Sequence, residues 1–211
     1  VPDAARVAVD YASQHRDFPV WGTCLGFEWL QEILGAELTS FEAENVSLSV
    51  TTTTHAASSY LLGDPGLRSV LEGQNVTMNN HHYGVAPNQS KLTILSTSFD
   101  TNGREFVSTA EDANLLAVQW HPEKNAFENG ETDAGLPYEA INHSQDAVQV
   151  TMALAAKLID KARGNDHAFL TPDARRAALF DNCPTSTALY PAYVQAYFLN
   201  QSWLGLAPAC P

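Results

Sequence analysis

The chain has 211 residues, of which 45% are hydrophobic and 17% charged, enough for one hydrophobic core of ordinary size and too few for two. Twenty-four acidic residues against 11 basic ones give a net charge of −13, and protonating all seven histidines brings it only to −6, so the sign is wrong for tracking a phosphate backbone and nucleic acid is excluded as a partner. No apolar run approaches the ~18 residues of a membrane span, which leaves a soluble protein with no membrane partner.

The first segment, VPDAARVAVDYASQHRDF, reads as a helix. Pro2 suits its first position, and Ala4, Ala5, Ala8, Tyr11 and Ala12 line one face. Neither an initiator Met nor a signal peptide precedes it, so a processed chain or a fragment is expected. FPVWG follows as a short buried strand, and LGFEWLQEILG as a helix ended by Gly35. LTSF, VSLSVTTT, NVTMNNHHYGV, KLTILSTSF and REFVSTAE are rich in Val, Ile, Thr and Phe and read as strands and hairpins, with Asn102-Gly103 as a hairpin turn. LLAVQW is a further buried strand, SQDAVQVTMALAAKLIDKARG a long helix, and TPDARRAALF a shorter one with Pro172 in its first turn. Alternating helices and strands followed by hairpins predict an α/β fold, a doubly wound sheet with antiparallel additions. The expected division is one domain over residues 1–182 and a coil-rich tail over residues 183–211.

Cysteines and sequons bear on compartment. Cys183 and Cys210 lie in the irregular C-terminal stretch and are candidates for a disulfide, which leaves Cys24 over. An odd cysteine is either a reactive thiol or a buried structural one. Five N-x-S/T sequons, at Asn45, Asn75, Asn88, Asn142 and Asn200, exceed the about two expected by chance and point to a glycosylated protein of the secretory pathway.

Cys24 stands where the strand VW passes through Gly22 and Thr23 into the helix that starts at Leu25. Such a strand–turn–helix lifts the turn residue above the sheet edge and aims a helix N-terminus at it. Gly22 and Gly26 are expected to permit the strained backbone and close strand-to-helix packing. The helix end favours thiolate over thiol, and the Leu25 N–H is placed to donate to an oxyanion. A nucleophile of this kind needs a base. In LLAVQWHPEK a buried strand delivers His121 to a strand end, where catalytic groups of open α/β sheets collect, and Glu123 is close enough to orient its imidazole. The alternative for His121 is a structural residue that ends the strand.

WGTCLGFEWL together with AVQWHPEK resembles the class I glutamine amidotransferase superfamily, and within it the γ-glutamyl hydrolases, over residues 5 to about 180. The resemblance implies a flavodoxin-like α/β sandwich with Cys24 as nucleophile, His121 as general base and acid, and Glu123 as third member. Glutamine amidotransferases usually carry Gln four residues after the nucleophile, whereas this chain has Glu28, the γ-glutamyl hydrolase choice. NNHHYGV resembles an active-site loop of the family, which makes His81 a substrate or intermediate contact, with His82 its neighbour. Glu28, His81 and Leu25 are thus the implied substrate-binding residues.

The implied activity is cleavage of γ-glutamyl bonds in folate and antifolate polyglutamates, with no cofactor or metal, in a secreted, lysosomal or vacuolar protein, and a homodimer is compatible with the resemblance; a glutaminase subunit of an amidotransferase and a catalytically silent binding protein of the same fold are the alternatives. The polyanionic tail makes Lys124 and Arg104 candidates for a local positive field. Family members carry β/α units before the elbow, including a Gly-rich loop that gives a second oxyanion N–H. Residues 1–17 hold none of these, so an N-terminally truncated domain is expected.

Overall fold

LLAV is apolar at every position because both of its faces are covered, the mark of a strand inside a layered α/β structure. The structure, a computed structural model, describes residues 1–183, 185–186 and 196–197. Cys210 and Asn200 lie outside the described residues, and with them the Cys183–Cys210 pairing and the last sequon.

The described chain forms two compact units: residues 1–127 with 139–165, and residues 128–138 with the stretch from 166 onward. The first unit contains, in order, α1 (Asp3–Gln14), β1 (Val20–Thr23), α2 (Leu25–Ile33), β2 (Thr39–Leu48), β3 (Thr51–Thr52), α3 (Pro65–Gly73), β4 (Thr77–Gly84), β5 (Thr93–Phe99), β6 (Glu105–Asp112), β7 (Leu115–Val118), α4 (Lys124–Phe127) and α5 (Gln145–Ala162). The second holds α6 (Pro172–Ala177), capped by the Thr171 hydroxyl that accepts from the Ala174 N–H, and the short antiparallel pair β8 (Thr185–Ser186) and β9 (Ala196–Tyr197). Among the described residues no helix is long and apolar enough to cross a membrane.

Five strands form the main sheet in the order β1-β7-β6-β5-β3, with β1 and β7 parallel and the other neighbours antiparallel. Alternation along β7 sends Leu116 and Val118 to one face, where they pack with Leu67 and Leu71 of α3 and Val150 and Leu154 of α5. Leu115 and Ala117 face the other side and meet Val9 of α1 and Phe27 and Leu30 of α2. Helices cover both faces, so the expected α/β sandwich is present, and its antiparallel additions are β3, β5 and β6. A second ribbon pairs β2 with β4, and Phe41 and Ala43 of β2 pack there against Phe106.

Several local expectations change. LTSF and VSL are one ten-residue strand, because β2 absorbs irregularities on either side of Ala43, with Asn45 at φ 51, and stays paired with β4 throughout. The stretch DPGLRSVLEG adds a helix to those expected, α3: the Asp64 carboxylate accepts from the Leu67 N–H at 2.8 Å, Pro65 opens the helix, and Leu67 and Leu71 bury at i, i+4 spacing. Pro2 is the N-cap of α1 rather than its first helical residue, and Val9 with Ala12 forms the buried face while Ala4 is exposed. The Asn102-Gly103 turn joins β5 to β6 as expected. Gly103 has φ 77, and the Asp100 carboxylate accepts from the Asn102 and Arg104 N–H groups.

Candidate functional site

The site is assembled where β1 and β7 end side by side. Thr23 is level with Val118 in the parallel register, and the Cys24 N–H donates to the Val118 carbonyl at 2.9 Å. Cys24 therefore begins its turn anchored to the strand that leads to His121. Its backbone has φ 50 and ψ −108, a conformation that L residues seldom adopt and that persists only where the surroundings enforce it. A Cβ on Gly22 would lie 2.6 Å from the Gly26 carbonyl oxygen and 2.7 Å from Leu30 Cδ1, so α2 can lie this close to β1 only over a glycine. Gly26 differs from the expectation: a Cβ there meets nothing within 4 Å, and its part in the packing is its carbonyl.

His121 is held by its own N–H, which donates to the Met78 carbonyl at 2.8 Å, and by Nδ1, which lies 2.7 Å from Glu123 Oε1. Its side chain also hydrogen-bonds Cys24. Burial alone would disfavour the imidazolium, but the bonds to Cys24 and Glu123 and the negative charge of Glu123 outweigh it and raise the pKa to about 9. Glu123 is half exposed and His121 largely covered, so the carboxylate sits at the solvent side of the row. On that side an apolar cleft opens, lined by Trp21, Thr23, Pro122, Glu123, Phe127 and Leu154.

The other residues singled out from the sequence fall in different places. Leu25 is the first residue of α2 and half exposed, where a helix N–H has no partner one turn back. Glu28, one turn on, is buried and accepts from Gln119 Nε2 at 3.1 Å. Burial raises its pKa, the Gln119 bond counters part of this, and the charge of Glu32 adds to the rise. His81 lies on β4 rather than on an exposed loop. It is 5% exposed, with Nδ1 2.8 Å from the Tyr83 carbonyl and Nε2 3.1 Å from Asn79 Oδ1, and its ring meets Phe106 edge-on. Burial, only partly offset by the Tyr83 bond and reinforced by His121 and His82, lowers its pKa to about 4. Both of its ring nitrogens lie against oxygen atoms of the protein. His82 is exposed and pairs with Glu44 at 3.1 Å.

Lys124 and Arg104 supply no uncompensated positive field. Lys124 is buried and paired with Glu139, and Arg104 is tied to Asp100 at 2.8 Å and lies over the Phe41 ring. Gln119, the partner of Glu28, stands in no motif of its own. Its signal is its position, two residues before His121 on the same strand exit.

Helices on both faces of the sheet and a strand–turn–helix cysteine bonded to a histidine–carboxylate pair define an α/β protein of the cysteine-elbow class. The chain belongs to the class-I glutamine amidotransferase family, whose model matches residues 2–133. It is similar to Gamma-glutamyl hydrolase 1 of Arabidopsis thaliana, 36% identical over 168 residues that span 72% of this chain and 46% of that protein. The Gamma-glutamyl hydrolase B of Dictyostelium discoideum is 29% identical over 88% of this chain and 56% of its own length, and the Gamma-glutamyl hydrolase of Rattus norvegicus 31% over 87% and 60%. The chain thus spans roughly half of the curated relatives it matches.

Proposed function

We propose that this chain carries the hydrolase site of a γ-glutamyl hydrolase. The row Cys24–His121–Glu123, with Cys24 at positive φ on the elbow, carries the reading. Cys24 sulfur attacks the carbonyl carbon of a γ-glutamyl amide, and the oxyanion accepts from the Leu25 N–H at the start of α2. Collapse breaks the C–N bond while His121 hands its proton to the leaving amine, which leaves a thioester on Cys24. His121, now neutral, takes a proton from water as the water attacks the thioester. The γ-carboxylate departs and the Cys24–imidazolium pair is restored. Glu123 keeps Nδ1 engaged through both steps, so that Nε2 is the nitrogen facing sulfur.

The substrates in this reading are polyglutamate tails of folates and antifolates, whose γ-glutamyl bonds are of the kind that the relatives, gamma-glutamyl hydrolases, are named for. Glu28 in place of Gln disfavours a glutaminase that passes ammonia to a partner. A lysosomal, vacuolar or secreted setting accords with sequon residues Asn45, Asn75 and Asn88 at exposed positions and Asn142 half-buried. The test is incubation with pteroylpentaglutamate and chromatography of the products. The protein is expected to release shortened pteroylglutamates and Cys24→Ala none; equal product from the variant would overturn the mechanism.

A further inference from the structure

Below the elbow lies a polar pair that the mechanism above does not use. Glu28 is 7% exposed and Gln119 0%, and Gln119 Nε2 donates to Glu28 Oε1 at 3.1 Å across 91 positions of sequence. Both ends of this bond are rigid. Glu28 sits in the first turn of α2, where its N–H donates to the Cys24 carbonyl at 3.0 Å. The Gln119 N–H donates to the Ser108 carbonyl at 2.9 Å, and two residues later the His121 N–H is fixed to Met78. The other end of the Gln119 amide, Oε1, is buried with no hydrogen-bond partner and faces Gly84, where a Cβ would stand 3.4 Å from it and 3.3 Å from Phe41.

An orphaned buried amide oxygen is unfavourable, by about 1–3 kcal/mol in mutational series, so something must hold the amide in this orientation. Turning it over would put Oε1 against a carboxylate, and the Glu28 bond prevents that. The pair therefore commits Gln119 to a single task at the expense of its own acceptor.

We propose that Gln119 is a positioning residue for the reaction: by holding Glu28 it locks the first turn of α2, and the Cys24 elbow with it, to the strand exit that carries His121. This rests on the reading of Cys24 and His121 as the reacting pair. Backbone pairing between β1 and β7 aligns the two strands, but it stops at Thr23 and Val118, before either reacting side chain. Beyond that point the Cys24 N–H bond to Val118 and the Glu28–Gln119 bond join the two halves beside the reacting side chains themselves. The charged group that acts on this pair is Glu32 on α2.

The experiment compares wild type, Gln119→Leu and the double variant Gln119→Leu/Glu28→Leu by three readouts: urea stability, the pH profile of iodoacetamide alkylation of Cys24, and kcat and KM on pteroylpentaglutamate. Gln119→Leu leaves the Glu28 carboxyl buried and unpaired and is expected to lose stability, more at pH 8 than at pH 5. The double variant, with both partners apolar, is expected to recover most of that loss. Alkylation in both variants is expected to follow a displaced pH profile, with kcat reduced ~10- to 100-fold and KM changed far less, as for a misplaced reacting pair. Should Gln119→Leu not fold, the double variant carries the alkylation readout, which needs no substrate. An alkylation profile and kcat that superimpose on wild type would overturn the inference, as would a double variant no more stable than Gln119→Leu. A wild type that alkylates with a displaced profile in the variants, yet cleaves no γ-glutamyl substrate, would sink the proposed function and leave this inference standing.

Discussion

Replacing Gly22 by Ala tests the elbow most directly, because the structure puts a figure on the space available. The added Cβ would stand 2.6 Å from the Gly26 carbonyl oxygen, 2.7 Å from its carbonyl carbon and 2.7 Å from Leu30 Cδ1. Leu30 can turn aside in part, but two of the three atoms are backbone. Ordinary contact at 3.4 Å or more then requires α2 to move off β1 by the better part of an ångström. Phe27 and Leu30 of α2 are closely packed and buried, so that motion opens the core on this face. Overpacking of this kind typically destabilises by about 1–3 kcal/mol, and a backbone obstacle belongs at the upper end. For a chain of this length 2–3 kcal/mol corresponds to ~4–12 °C in Tm. Gly26→Ala is the internal control. Its Cβ enters open space in the first turn of a helix, and the substitution is expected to be neutral or to stabilise by up to about 1 kcal/mol. Urea and thermal unfolding of both variants decide the matter. Gly22→Ala as stable as wild type, or less stable only by as much as Gly26→Ala, would refute the claim that close strand-to-helix approach requires a glycine at position 22.

Two histidines predict opposite pH behaviour. His121 has a folded pKa of about 9 against 6.5 for the free side chain, so its contribution is complete below about pH 6.5 and lost as pH rises through 9. The full shift corresponds to ~3 kcal/mol at 1.36 kcal/mol per unit, and solvent around half-exposed Glu123 brings the expectation to about 1–3. Urea midpoints between pH 6 and 9.5 should therefore fall more steeply for wild type than for His121→Asn; parallel curves would show that the bonds to Cys24 and Glu123 do not stabilise the imidazolium. His81, with a folded pKa of about 4, is favoured neutral, so its contribution is present above about pH 6.5 and lost as pH falls through 4. His81→Gln, which keeps a donor in place, is expected to flatten the stability loss on that acid side. An unchanged acid slope would assign the loss to other groups.

Much of this site was legible along the chain because its parts are short-range signals. A strand broken by Gly22, a cysteine before a helix start and an HPE segment after an apolar strand are each local, and the backbone answers them locally: β1, the positive φ of Cys24, α2 and β7 fall where the residues place them. The hairpin at Asn102-Gly103 was legible for the same reason. Misreadings arose where a residue's environment comes from another part of the chain. NVTMNNHHYGV is the strand its residues predict, but the resemblance made His81 part of a loop open to substrate, whereas pairing with β2 and the Phe106 ring from β6 bury it. Lys124 has the charge of a substrate anchor, but Glu139, 15 residues on, neutralises it. The helix after Asp64 begins with Pro-Gly, which is equally a turn signal; the burial of Leu67 and Leu71 against α5 and the sheet fixes it as α3.

The sequence by itself determined the family, the order of strand, elbow and helix, and which cysteine, histidine and carboxylate belong together, since these reside in residue types and spacings of a few positions. Tertiary structure decided what each group experiences. The parallel register of β1 and β7 sets Cys24 level with the exit to His121, the bonds to Cys24 and Glu123 outweigh burial and favour the imidazolium, and the same burial without such partners favours neutral His81. Only the fold could show that Gln119 meets Glu28, because desolvation and hydrogen bonding are set by groups far apart in the chain that packing brings to within 3.1 Å.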